Sequence, residues 1–191
     1  MPRISKPPEV RRREILDAAM RLFTAKGYEE TSMADIAGEL GVVQGLCYRY
    51  FDSKQKLFQE AMDQYVKECC ALGLPVIRDR TRTVRERIDA MADLVLVTEE
   101  TAKYRSFYHR PENQDLHQQL SGKICAYLLP YVTEELQDAC GRGELRLSHP
   151  DVTASYLLYA QIGLMGEGET PMAERLALIR RYAQLILDAD I

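Results

Sequence analysis

The sequence predicts an all-α fold in two parts: a three-helix head over residues 1–54 with a helix-turn-helix at its centre, and a helical bundle over residues 55–191. Three observations carry that prediction. From Ile15 to Ile186 apolar residues recur at the i, i+3, i+4, i+7 spacing of one buried helical face. No segment sustains the apolar/polar alternation of a half-buried strand. Glycines and prolines interrupt the helical period where turns between helices are needed.

The first helix is expected over Glu9–Lys26, with Ile15, Ala18, Ala19, Leu22 and Phe23 on its buried side and Gly27 as its stop. Tyr28 lies in a short link. Thr31 and Ser32 follow, and their hydroxyls either hold a phosphate at a helix start or simply cap that helix. Met33, Ile36, Ala37 and Leu40 give the next helix one apolar face, with Ser32 and Asp35 placed for capping. Gly41 supplies the turn, and Val42 packs back under it. In the third helix Val43, Cys47, Tyr50 and Phe51 are expected on the buried face, which leaves Gln44, Gly45, Tyr48 and Arg49 on the other. That second face suits a major groove. Gln44 can pair bidentately with adenine, Arg49 can reach guanine or phosphate, Tyr48 can donate its hydroxyl to a phosphate oxygen, and Gly45 lets the backbone come close. Ser53 is a good N-cap for the following helix, and Lys54 is placed for its ammonium to reach the DNA backbone.

The run GVVQGLCYRYFDSK within Thr31–Lys54 resembles the G-V-S-x-G-x-x-Y-x-Y-F-x-S-K signature of TetR-type transcriptional regulators. The resemblance implies that Tyr48 and Lys54 grip phosphates and that Gln44, Gly45 and Leu46 lie nearest the bases. Two positions depart from it. Val43 stands where a Ser usually caps the recognition helix, and Leu46 stands where a Thr often touches DNA, so Leu46 could instead meet a thymine methyl. The resemblance covers roughly the first third of the chain. It further implies a twofold-symmetric homodimer made through the two C-terminal helices.

A net charge of −4 argues at first against a nucleic-acid partner, but the charge is unevenly spread. Met1–Phe58 holds 10 Lys and Arg against 8 Asp and Glu, a net +2, and the remainder holds 15 against 21, a net −6. Lys6, Arg11, Arg12 and Arg13 concentrate positive charge in what reads either as an arm that follows DNA or as a merely solvated tail. Five cysteines, an odd number without disulfide or metal-ligand spacing, suggest the cytoplasm, as does the absence of a membrane-length apolar run or a signal-peptide pattern. No cofactor, metal or catalytic constellation is expected: the chain has no phosphate-binding glycine loop, nucleophile elbow or acid/base pair.

In the second part, a helix from Ser53 to Leu72 is expected to leave the head as a lever, stopped by Gly73 and Pro75, with Arg78–Arg82 as a surface loop of no special role. Further helices are expected over Val84–Glu100 (buried side Ile88, Met91, Ala92, Val95, Leu96), Thr101–Tyr108, Asp115–Cys140, Asp151–Met165 and Met172–Leu187. Pro130 falls inside the long one and should kink it, freeing the carbonyl of Ala126 beside Tyr127 and Tyr131. Met62, Tyr65, Cys69, Met91, Val95, Tyr108, Ile124, Tyr127, Tyr131 and Tyr159 are the candidate lining of a pocket for a small, partly apolar molecule, the competing reading being ordinary core. The expectation is a ligand-responsive repressor that binds a double-stranded, pseudo-palindromic operator as a homodimer. The alternatives are a DNA-bound adaptor regulated by a protein partner or by oxidation of Cys69 or Cys70, and a small helical enzyme with a vestigial head.

Overall fold

Helix α1 (Pro8–Lys26) starts on a proline, at a position where the missing N–H costs no helical bond. It buries Ile15, Leu16, Ala18, Ala19, Met20 and Phe23, and Gly27 ends it in a left-handed conformation, donating its N–H to the carbonyl of Phe23 at 2.9 Å. Helices α2 (Met33–Glu39) and α3 (Gln44–Tyr50) follow, then α4 (Lys54–Cys70), α5 (Gly73–Ile77), α6 (Val84–Glu99), α7 (Gln114–Gly141), α8 (Pro150–Ala160), α9 (Ile162–Met165) and α10 (Met172–Asp188). The computed structural model describes residues 6–99, 114–165 and 170–188, and among them no strand occurs. The helix expected over Thr101–Tyr108, and Tyr108 with it, lies outside the described residues.

The chain divides into two compact units, Met1–Tyr65 and Val66–Ile191, so the division falls inside α4 rather than at 54/55. The reason is packing. Leu57, Phe58, Ala61 and Met62 are buried on the N-terminal half of α4. Phe58 stacks edge-on against Phe23 (5.2 Å between ring centroids) and lies 4.7 Å from Tyr28. Gln64 donates to Asp17 at 2.8 Å, and Glu60 pairs with Arg12. The motif ends at Lys54, but the head's core needs three more turns of helix. Phe23 is fully buried at the centre of that core, so Phe23→Ala would cost about 3–5 kcal/mol.

Of the basic residues expected as an arm, Arg11, Arg12 and Arg13 lie in the opening turns of α1 and Lys6 just before it. Lys6 and Arg11 both pair with Glu14, and Arg12 pairs with Glu60 while lying 4.9 Å over the Phe51 ring. Arg13 also has an interaction partner. The helical period that begins at Pro8 carries these cations onto a surface already supplied with carboxylates.

In the second unit α7 packs along α8, and α6 along α5 and α10. A core of Val84, Leu136, Ala139, Leu145, Ala154 and Leu187 is flanked by Ile88, Leu129, Val132 and Leu157. Three expectations change here. Gly73 and Pro75 do not simply stop the lever; they lie in α5, whose first turn tolerates a proline, and a Cβ at position 73 would meet Met91 Cε at 3.0 Å. Leu96, expected on the buried side of α6, is exposed, while Arg87 is buried in its place. The helix expected over Asp151–Met165 breaks at Gln161, whose Nε2 donates back to the Leu157 carbonyl at 2.9 Å.

Arg87 explains why Arg78–Arg82 is more than a surface loop. Its Nη1 donates to the Ile77 carbonyl (2.8 Å) and to Glu135 (3.0 Å), and Arg80 from the loop clasps the same carboxylate with two nitrogens, at 3.1 and 3.0 Å. Burial pushes the Glu135 carboxyl up, but hydrogen bonds and charge from Arg80 and Arg87 outweigh it and hold the group below the usual carboxylate range. Pro130 lies inside α7, exposed like Ala126 one turn before it, so water can serve the carbonyl that the proline leaves without its helical donor.

Candidate nucleic-acid interface

The interface is built on α2, its turn and α3. Ser32 caps α2 as expected: its Oγ accepts from the Asp35 N–H (3.1 Å), and Asp35 accepts in return from the Ser32 N–H (2.8 Å) and hydroxyl (2.6 Å). Those bonds hold the Asp35 carboxyl below its ordinary range. Met33, Ile36 and Ala37 are buried beneath. Gly41 then adopts φ +63°, which side chains disfavour, and lets the Val42 N–H return to the Ala37 carbonyl at 2.9 Å. Ion pairs Lys26–Asp35 (3.6 Å) and Arg21–Glu39 (3.4 Å) link α2 to α1.

Helix α3 is anchored by Cys47, fully buried, and by Phe51 just beyond its end. Burial pushes the Cys47 thiol up, so it behaves as a small apolar anchor. Facing away from that anchor, Gln44, Gly45, Tyr48 and Arg49 are exposed, and none of the three side chains has a partner among the described residues. Leu46 is half-buried. Gly45 is informative in a second way. Its φ is not left-handed and a Cβ built there meets nothing within 4 Å, so no packing or backbone demand inside the protein calls for glycine.

Several expected contacts have other employment. Thr31 is 1% exposed, and its hydroxyl donates to the Gly27 carbonyl at 2.7 Å, tying the α1–α2 link rather than facing out. The Ser32 hydroxyl is engaged in the cap just described. Lys54 donates to the carbonyls of Tyr28 (3.0 Å) and Glu29 (3.4 Å), and its ammonium lies 4.2 Å over the Tyr28 ring. Its position just after α3 suggested a phosphate contact; the fold turns it inward because the α1–α2 link leaves two carbonyls without helical donors. Ser53 caps α4, accepting from the Lys56 N–H at 3.0 Å. Val43 is the clearest correction: expected on the buried face, it is 65% exposed. As the N-cap it has an extended backbone, one step before the helical period that was used to place it.

The nine candidate pocket residues that are described, all but Tyr108, are dispersed. Met62 and Tyr65 belong to the head's compact unit, where Met62 is fully buried in the core. In the second unit Tyr127 and Tyr131 stack at 5.8 Å, and Arg78 lies 5.7 Å over the Tyr131 ring. Met91 packs near Gly73, while Ile124 and Val95 are half-buried. Cys69 is exposed and carries an interaction of its own. Tyr159 faces outward with Val152 and Tyr156 on α8, beside a shallow open depression. Cys70 is buried near Cys69 and Cys125, and its thiol is pushed up to about 12, chiefly by burial. A thiol so held and buried carries little thiolate near neutrality, the form that oxidants attack. Among the described residues no cluster could hold a metal ion, and no helix is long and apolar enough to cross a membrane.

A capped short helix, a glycine turn and a second helix with an exposed polar face on a three-helix core define a helix-turn-helix head. Residues 15–61 match the family model of bacterial regulatory proteins, tetR family. Over these residues, which lie in the head, the chain is similar to that family. It is 35% identical over 121 residues to the HTH-type transcriptional regulator BetI of Brucella anthropi, covering 60% of this chain and 61% of that one. It is 31% identical over 104 residues to the HTH-type transcriptional repressor KstR2 of Rhodococcus jostii, covering 49% and 51%. The chain thus spans less than two thirds of the length of these relatives. Two solved structures share the fold over nearly their whole length. A TetR-family protein of Mesorhizobium loti has a TM-score of 0.69 at 24% identity, with 95% of this chain and 98% of that one covered. A TetR/AcrR-family regulator of Thermobifida fusca has a TM-score of 0.64 at 24% identity, with 94% and 98% covered.

Proposed function

We propose that this chain is a ligand-responsive, DNA-binding transcriptional repressor that works as a homodimer in the cytoplasm. The observation that carries the reading is the exposed, partnerless face of α3. Gln44, Tyr48 and Arg49 offer an amide, a phenol and a guanidinium on one side of a firmly anchored helix, with no internal task for any of them. Gln44 reads adenine, Arg49 reaches guanine or phosphate, Tyr48 bonds a phosphate oxygen, and Gly45 allows close approach of the helix to the groove. Leu46 lies at the edge of this face. The family-model match over the head and the repressor name of one relative favour the same direction.

Dimerisation is supported by the apolar residues that the two C-terminal helices leave uncovered: Val152, Tyr156 and Tyr159 on α8, and Tyr182 and Leu185 on α10. A second copy covering these residues would set two heads on successive major grooves of a pseudo-palindrome. The effector is proposed as a small, partly apolar molecule held in the second unit near Tyr127 and Tyr131. It acts by binding one arrangement of the dimer more tightly than the DNA-bound one, and α4, which carries residues of both units, is the element through which the heads respond.

The test is fluorescence anisotropy of the purified protein on DNA from its own upstream region and on a random-site pool, followed by a screen for compounds that release the selected DNA. Specific binding that candidate effectors reverse supports the reading. Specific binding that no partly apolar compound reverses removes the effector and leaves the DNA reader; no specific binding removes both.

A further inference from the structure

Val43 breaks two local rules at once. It is the N-cap of α3, a position that favours Ser, Thr, Asn or Asp, and it offers no side-chain bond to the helix's free N–H groups. Among the described residues it is also the most exposed large apolar residue of the head, at 65%, next in sequence to the partnerless Gln44. No described residue covers it. An isopropyl group there gives the helix start no side-chain cap and leaves apolar surface in water, beside the exposed face of α3, where a partner of the head can cover it.

The surroundings fix what that is. If α3 enters the major groove, as proposed above, its N-terminal end is the part that meets base edges. Those edges carry hydrogen-bond donors and acceptors and one methyl group, the C5-methyl of thymine, which stands where cytosine has only a hydrogen. A valine side chain can neither bond a phosphate nor satisfy a base donor or acceptor; against a thymine methyl it removes apolar surface from water on both sides. We propose that Val43 is a specificity-determining residue that selects thymine at one position of each half-site by contact with its C5-methyl, alongside the adenine-reading Gln44. This inference rests on the DNA-binding reading of the head.

The magnitude follows from a single methyl-sized group, about 0.8 kcal/mol when buried, or a factor of about four in affinity. The experiment selects a preferred site from a random pool with the full chain, then replaces each thymine of that site, one at a time, with deoxyuridine, which deletes only the methyl. Val43→Ala and Val43→Ser are measured alongside; both alter an exposed position, and Val43→Ser supplies the missing cap. The expected result is one thymine per half-site whose replacement weakens the wild-type protein about four-fold and leaves both variants unaffected, with Val43→Ser at least as resistant to thermal unfolding as the wild type. A selected site with no methyl dependence, or with the same dependence in wild type and variants, overturns the role of Val43 while leaving the head a DNA reader. A pool that yields no enriched site overturns the reading of the head and this inference with it.

Discussion

Replacing Gly45 by alanine should make the protein more stable and a worse DNA binder. Glycine inside a helix is disfavoured relative to alanine by about 0.5–1 kcal/mol because the unfolded chain loses more freedom. Nothing offsets that gain, since the new Cβ would meet no atom within 4 Å and the backbone is not in the left-handed region. Denaturant midpoints should therefore rise, by an amount equal to about 0.5–1 kcal/mol. On DNA the same methyl group would stand between α3 and the groove. Forcing an extra methyl-sized group into a close-packed contact costs about 1–3 kcal/mol, which corresponds to about 5- to 150-fold in affinity. Urea unfolding followed by circular dichroism, with anisotropy on the selected site, measures both quantities on one preparation. Unchanged affinity in the stabilised variant would refute the argument, because the glycine would then have no purpose inside or outside the protein. Loss of both stability and binding would show that the local packing has been misread.

Other substitutions separate the remaining roles. Lys54→Ala removes the donor to the Tyr28 and Glu29 carbonyls and should lower stability by about 1–2 kcal/mol, since the ammonium is partly exposed. The slope of log affinity against log salt should stay unchanged; a slope reduced by about 0.9 would mean that Lys54 meets a phosphate after all. Arg49→Ala should weaken all sequences without affecting stability, and Gln44→Ala should relax preference at one position of the half-site, both read from a random-site selection. Glu135→Ala leaves buried Arg87 without its carboxylate and should cost about 3–5 kcal/mol, whereas Arg80→Ala, at a half-exposed position, should cost under about 1 kcal/mol. Because the folded-state pKa of Glu135 is depressed below its ordinary 4.5, its stabilisation is present above that value and is lost as pH falls below it. Acid unfolding of the Glu135→Gln variant should therefore show a shallower dependence on pH below about 4.5 than the wild type. Tyr156→Glu on the uncovered face of α8 should shift the protein from dimer to monomer in light scattering and weaken operator binding at low protein concentration.

The head was legible because its constraints are local. Capping by Ser32 and Asp35, the left-handed Gly41, the apolar faces of α1 and α2 and the cap at Ser53 each follow from a few neighbouring residues, and each is found where the spacing puts it. What the sequence hid were the long-range engagements. Nothing near Lys54 in the chain announces that the Tyr28 and Glu29 carbonyls will need a donor, and nothing near Arg80 or Arg87 announces Glu135, some fifty residues away. Val43 departs from the helical spacing for a different reason: as the N-cap it has an extended backbone just outside the helical period, so its side chain does not share the buried face of Cys47. The aromatic and pliable side chains that suit a pocket do not reveal, by their chemistry, which face of a helix they occupy. The structure distributes the described ones over both units and leaves Tyr159 on an outer surface.

The central claim, that the exposed face of α3 reads DNA, is tested most directly by titrating the purified protein against its selected site and against an unrelated duplex at several salt concentrations, with Tyr48→Phe and Arg49→Ala alongside. The account predicts tight, strongly salt-dependent binding to the selected site, weaker binding to the unrelated duplex, and a loss of affinity in both variants with stability intact. Equal binding to both duplexes, or variants that bind as well as the wild type, would contradict it.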